Sequence, residues 1–243
     1  MKSNHSFDLL SCFPASAEPG KAFTSVTYSN LYFREPESRA DQTRMMSIVT
    51  TGAETGYYVD VFRSRKEKGG DKMHDYFYHN LGQTLTLTAA DGSDLNLQPT
   101  EELAFAGAHL YAYSYLYDKK VAATNKDVKA TFTIDMKDKD GDDIYMNLWM
   151  KGEPDREIFT ALAPMTEGLS RTPNMPYNIK EQPTLTFVAR QHGEAWNRPF
   201  VSIYEPSTKK EPSAIQSVSY FDAEGAGLED FAGCAVVISH DRW

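Results

Sequence analysis

Residues 183–206 read PTLTFVARQHGEAWNRPFVSIYEP, and they contain two strand patterns on either side of a polar and aromatic connection. In 184–190, Leu, Phe and Ala alternate with Thr, Val and Arg, which is the period of a half-buried β-strand. Residues 200–204 form a second, mainly apolar run with a proline on each side. The stretch therefore predicts two β-strands joined by a connection of polar and aromatic residues.

The connection between these strands is QHGEAWNRP, residues 191–199, and we expect a loop longer than the two to five residues usual for a hairpin. An indole beside a guanidinium, an amide and an imidazole suits a sugar or an acidic oligosaccharide. The alternative is that the indole caps the core while Arg198 pairs with Glu194. The residues predicted to bind substrate are Trp196, Arg198, Asn197, His192 and Arg190.

Composition limits the classes of protein and partner. The chain has 243 residues, which suffices for one large all-β domain or two small ones. Its 41% hydrophobic and 24% charged content is typical of a globular protein. A formal net charge of −9 argues against nucleic acid as a partner, since that would need a basic patch or stripe. A local cluster of arginines still suffices to attract an acidic substrate.

Strand patterns recur along the chain with little helical signal, and this predicts an all-β fold, a large antiparallel β-sandwich of supersandwich-like type. Residues 1–21 are predicted as an irregular lead-in, and 22–243 as one β-sandwich domain. The span 100–117 is ambiguous: its Glu and Ala content favours a helix, while alternating tyrosines favour a strand from His109 onward. The proline-rich span 163–183 is predicted as a long loop or cover.

Several other patterns are weighed and set aside. No apolar run approaches the 18 or so residues of a membrane-spanning helix, and no convincing signal peptide is expected within this chain. Cys12 and Cys234 pair only if the two ends of the chain meet, and free thiols are the simpler expectation. The Asp-rich tip 138–143 lacks the distal Glu of an EF-hand, and a hairpin tip rich in Asp and Gly needs no metal. No metal site and no cofactor are predicted for the chain.

Residues 73–80, MHDYFYHN, form a predicted strand that carries possible acid–base groups. Tyr76 or Tyr78 with His79 is a combination able to act as base and acid. Strand alternation places the two tyrosines on one face and His79 on the other. Tyr76 and His79 are therefore secondary candidates, and ordinary cross-strand hydrogen bonding is the alternative.

Four segments taken together resemble the C-terminal β-sandwich of heparinase II/III-like polysaccharide lyases of bacteria. In chain order they are Tyr58–Arg63 with His74–Asn80, Asn147–Met150 with Asp155–Glu157, Gln182–Phe187, and Gly193–Pro206. The resemblance covers roughly residues 55–240. It implies a role on acidic glycans such as glycosaminoglycans, cleaved by β-elimination, and a periplasmic or extracellular location.

The resemblance also implies a second part to the enzyme. In the family, an (α/α) toroid of helices supplies most catalytic groups, and the sandwich closes the cleft, usually beginning with a His-x-His-x-Asp-like strand. This sequence contains neither feature, so no catalytic residue is carried over. We expect an accessory domain that is inactive alone. The alternatives are a non-catalytic carbohydrate-binding module, or a structural domain that packs on a toroid or dimerises through an exposed strand edge.

Overall fold

A computed structural model describes residues 6–14, 25–105, 108–136, 142–166, 181–222 and 232–238; side chains of 108–110, 221–222 and 232–238 are not described. The chain is 60% strand and 3% helical, with antiparallel sheets. The predicted all-β sandwich class is therefore confirmed. The chain divides into two compact units: unit 1 comprises 1–74, 192–205 and 214–243, and unit 2 comprises 75–191 and 206–213.

Unit 1 is built on antiparallel strands that pair in the order β1-β2-β3-β4-β13, with β14 and β15 paired as a separate hairpin. The strands are β1 (Asp8–Phe13), β2 (Val26–Arg34), β3 (Asp41–Thr50), β4 (Gly56–Arg65), β13 (Ala195–Thr208, largely in this unit), β14 (Ile215–Asp222) and β15 (Ala232–Ile238). Strand β1 lies inside the predicted irregular lead-in, which is a correction. Its DLLSCF sequence lacks strict alternation, and pairing with β2 supplies the order instead.

Unit 2 is a sandwich of two antiparallel layers, β10-β9-β6 and β5-β12-β11-β8-β7. The strands are β5 (Met73–Asn80), β6 (Thr84–Ala89), β7 (Gln98–Pro99), β8 (Tyr117–Ala123), β9 (Val128–Ile134), β10 (Ile144–Met150), β11 (Arg156–Ala163) and β12 (Thr184–His192). The layers meet where Tyr78 packs edge-on against the buried ring of Phe132, with 5.4 Å between ring centroids. Apolar side chains from both layers fill the space between them.

The ambiguous span 100–117 is neither the predicted helix nor a strand from His109. A 3₁₀ helix occupies Ala108–Tyr115, and β8 begins at Tyr117. The strand predicted from the alternating tyrosines is wrong. Tyr113 packs inward, whereas Tyr111 and Tyr115 are exposed.

This 3₁₀ segment covers the second face of β12. Tyr113 and Leu116 pack with Leu103 over Phe159 and Val188, both of which are completely buried. The sequence alternation of β12 correctly predicts a strand but wrongly predicts a half-buried one, because both of its faces are covered. The cover comes from residues distant in sequence, which alternation within a strand cannot reveal.

Candidate functional site

The connection between β12 and β13 is shorter than predicted. Strand β12 ends at His192 and β13 begins at Ala195, so only Gly193 and Glu194 join them. Gly193 has a φ of +79°, a left-handed conformation that glycine adopts without steric cost. The expected nine-residue loop is therefore wrong, and its polar residues lie at the start of a strand instead.

That strand start is irregular. Ala195 pairs with Ser64 and Phe200 pairs with Phe62, so the register shifts between them and residues 196–199 bulge out of regular pairing. Bulges redirect side chains and are common beside binding sites. The predicted substrate contacts Trp196, Asn197 and Arg198 all belong to this bulge.

Hydrogen bonds from charged side chains hold the bulge in place. One carboxylate oxygen of Glu194 accepts from the backbone N–H groups of Trp196 at 2.6 Å and Asn197 at 2.9 Å. Arg63 of β4 donates to the backbone carbonyl of Trp196. The backbone at Trp196 is therefore held on both its N–H and its C=O side.

Arg198 also helps to hold the bulge in place. Its Nη2 donates to the carbonyl oxygen of His192 at 3.0 Å, and its Nε lies 3.9 Å from Glu194. The alternative considered from sequence, an Arg198–Glu194 pair, is thus present. His192 and Arg198 serve the chain geometry here, while Asn197 is exposed and Trp196 is half-buried.

Arg65 of β4 completes the surface, and sequence reasoning missed it. Its guanidinium carbon lies 4.1 Å from the centroid of the Trp196 ring, a cation–π contact. The side chain is 41% exposed, and one terminal nitrogen is 3.5 Å from the exposed carboxylate of Glu67. The signal in the sequence was the alternation of Arg63 and Arg65, two cations on one face of a predicted strand.

Arg65 also lies in a row of charged residues across three strands. Strand pairing places Arg34 opposite Asp41, and Asp41 opposite Arg65. The Asp41 carboxylate accepts a 2.6 Å hydrogen bond from Tyr32 and has a 12% exposed side chain. Hydrogen bonding to Asp41 raises the pKa of Tyr32, which therefore remains a donor at neutral pH.

A shallow hollow of about 350 Å³ opens at the turn between β2 and β3. It is lined by Arg34, Glu35, Pro36 and Arg39. The hollow adjoins the end of the charged row through Arg34. The face of unit 1 that carries Trp196 thus also carries several guanidinium groups, although the whole chain has an excess of acidic residues.

Arg190, the remaining predicted substrate contact, lies in unit 2 and is 8% exposed at its side chain. It forms a two-pronged ion pair with Asp75, at 2.7 and 2.9 Å, and a further contact with Glu102 at 3.2 Å. Tyr113 donates a 2.7 Å hydrogen bond to Asp75. The structure therefore gives Arg190 a packing role, which its place in an alternating strand could not distinguish from a binding role.

Burial, together with the nearby Asp75 charge, raises the pKa of Tyr113 far above the ordinary value for tyrosine. Tyr113 consequently stays protonated and acts as a hydrogen-bond donor to Asp75 at any moderate pH. The buried Asp75 carboxylate is therefore held by Arg190 and Tyr113 together.

Tyr76 and His79 are separated by the alternation of β5. Tyr76 is 3% exposed, whereas His79 is on the opposite face, where its ring stacks with Phe77 and its Nδ1 lies 2.9 Å from the hydroxyl of Thr186. Partial desolvation of the ring lowers the pKa of His79, although the residue as a whole is exposed. The two residues cannot act together on one substrate group, so the secondary acid–base candidates are not brought together.

Within the described ranges, no three His, Cys, Asp or Glu side chains form a group that could hold a metal ion. Most of the Asp-rich tip 138–143 and the proline-rich span 163–183 lies outside the residues that the structure describes. In the same ranges, no helix has the length and apolar character needed to cross a membrane.

No family model matches the chain. One curated protein does: an endo-acting ulvan lyase of Formosa agariphila is 33% identical over 196 residues. The chain resembles part of a polysaccharide lyase. The alignment covers 79% of this chain and 22% of the lyase, so the chain spans about a fifth of the length of that relative.

Proposed function

We propose that this chain is an all-β accessory part of a polysaccharide lyase that contacts the acidic polysaccharide without cleaving it alone. The similarity to a lyase acting on ulvan carries the proposal, because it extends over most of this chain. The resemblance to heparinase II/III-like lyases in particular rests on the sequence segments above and belongs to the same proposal. A periplasmic or extracellular location follows, since such polysaccharides lie outside the cell.

The contact surface in this proposal is the bulge of unit 1. Trp196 and Asn197 face solvent at least in part, while Arg198 and His192 fix the backbone beneath them. Aromatic side chains held rigidly are effective contact groups because little conformational entropy is lost on binding. This geometry supports glycan contact and contains no matched acid and base for β-elimination.

Two measurements on the isolated chain test the proposal. Incubation with ulvan, followed by ultraviolet absorbance of unsaturated sugar products, should show no turnover. Affinity electrophoresis through gels containing ulvan should show retardation, which Trp196→Ala reduces. Strong turnover by this chain alone, or mobility unaffected by ulvan, would overturn the proposal.

A second candidate is a structural domain that packs on a toroid or on another copy of the chain. Exposed apolar side chains on the β1–β4 sheet favour it: Leu9 is 60%, Met46 41% and Ile48 47% exposed. Met46 and Ile48 share one face of β3, and Ile48 pairs directly with Tyr58. Light scattering after gel filtration would detect a dimer, and Ile48→Asp should abolish it. A monomer at all concentrations would remove the dimer form of this candidate.

A further inference from the structure

We propose that Arg65 is the group that recognises the acidic substituent of the glycan, a carboxylate or a sulfate, and that Trp196 positions Arg65 for this task. The inference rests on the proposed function and deepens it. The indole of Trp196 then positions Arg65, in addition to contacting the glycan, because the Arg65 guanidinium already occupies one face of the ring.

The first argument concerns hydrogen-bond donors. The neighbouring arginines of the bulge have acceptors within the protein: Arg63 donates to Trp196 and Arg198 to His192. The side chain of Arg65 has no hydrogen bond to any described residue, and its buried Nε has no partner there. Among the described residues its ion-pair contact is the 3.5 Å contact with Glu67, while Asp41 lies opposite it on β3. A guanidinium with unused donors and an exposed end is suited to bind a planar or tetrahedral anion.

The second argument concerns preorganisation. An arginine on a strand normally loses rotamer freedom when it binds a ligand. Here the ring of Trp196 restricts Arg65 beforehand, and the backbone of Trp196 is itself held by Glu194 and Arg63. Part of the entropy loss has therefore occurred before the anion arrives, so the pair should bind better than an exposed arginine.

The third argument is that acidic glycans carry charges repeatedly along the chain, and this face offers a second cation. Arg34 lies two strands from Arg65 in the same cross-strand row, about 10 Å away at the usual strand spacing. Asp41 lies between them, with its carboxylate 3.9 Å from Arg34 and hydrogen-bonded to Tyr32, and its side chain is 12% exposed. The row therefore presents two exposed guanidinium groups, Arg34 at 52% and Arg65 at 41%, on either side of a carboxylate that is only 12% exposed.

The experiment compares the retardation of variants in gels containing ulvan, polygalacturonate, dextran sulfate or neutral dextran. Arg65→Gln should weaken retention by the acidic polymer about tenfold or more, the effect of losing a charged hydrogen bond. Arg65→Lys should recover part of the loss, since it restores charge but not the planar fork. Polygalacturonate and dextran sulfate distinguish carboxylate from sulfate recognition, and dextran should bind weakly to every variant.

Lys129→Gln is the matched control, because Lys129 lies 5.0 Å over the ring of the buried Trp149 and its removal changes net charge equally. Retention of this variant should remain within about twofold of wild type if loss of one surface charge has little general effect. Arg65→Gln with normal retention, while Trp196→Ala still loses it, would overturn the role of Arg65 and leave the proposed function intact. Failure of the wild-type chain to bind any acidic polymer would overturn both.

Discussion

Two arginines beside aromatic rings show how surroundings determine the role of the same side chain. Arg190 in unit 2 lies 5.2 Å over the ring of Phe159, and Arg65 in unit 1 lies 4.1 Å over Trp196. Arg190 is 8% exposed and fully engaged by Asp75 and Glu102, whereas Arg65 is 41% exposed without a close acceptor among the described residues. The buried arginine holds the fold together, and the exposed one is available for a ligand.

The largest effect should follow from breaking the buried cluster. Arg190→Met removes the partner of Asp75 and leaves a buried carboxylate uncompensated, which should lower the free energy of unfolding by about 3 to 5 kcal/mol. A urea denaturation curve monitored by circular dichroism measures this free energy. A loss below about 0.5 kcal/mol, typical of a surface site, would show that Arg190 is not a stabilising residue.

A smaller loss is expected when the cluster keeps its ion pair but loses one donor. Tyr113→Phe deletes the hydrogen bond to Asp75 and should lower the free energy of unfolding by about 1.5 kcal/mol. Tyr111→Phe is the matched control on the same 3₁₀ helix, since Tyr111 is 54% exposed and should tolerate the change. Equal effects from the two variants would contradict the role given to Tyr113.

The same region should also give stability a pH dependence through His79. Because its pKa is lower in the folded chain than in the unfolded chain, the unfolded state takes up a proton first as pH falls. The contribution of His79 to the free energy of unfolding is therefore fully present above about pH 6.5. It is lost as the pH falls from there through the pKa of His79 in the folded chain. His79→Gln should flatten this part of a urea-denaturation series between pH 8 and pH 5, measured at steps of about half a unit. If the free energy of unfolding of His79→Gln depends on pH as steeply as that of the wild type, the role given to His79 is contradicted.

The smallest effect on stability belongs to the exposed arginine. Arg65→Gln should change the free energy of unfolding by less than about 0.5 kcal/mol, because the cation–π contact is exposed and Glu67 is a weak partner. Urea denaturation measures this alongside the retention assay. A large destabilisation would mean that any loss of glycan binding reflects damage to the fold.

Sequence reasoning predicted the strands well where local pattern determines them. Strand β5 was predicted at its observed limits, and the β9–β10 hairpin follows from two apolar runs around a polar tip. It failed where distant residues decide the structure. The cover over β12, the strand β1 and the 3₁₀ helix at Ala108–Tyr115 depend on packing between segments far apart in sequence.

The candidate site shows the same division. Trp196 and its neighbours were predicted as site residues from residue type, but their bulge arises from a register shift against β4 that has no local signature. Arg65 lies 131 positions before Trp196 in the chain and meets it only through strand pairing, which explains why it was missed. Arg190 was a predicted substrate contact, and its ion pair with Asp75 became visible only in the fold.

The most direct test uses the indole N–H signals of the three tryptophans in ¹⁵N-correlated NMR spectra, titrated with short ulvan oligosaccharides. Trp196→Phe assigns the relevant signal, and the buried Trp149 provides an internal reference. We expect the Trp196 signal to shift with added oligosaccharide in the wild-type chain and to remain in place in Arg65→Gln, while Trp149 is unaffected in both. A Trp196 signal that does not move when the oligosaccharide saturates the protein would contradict the account.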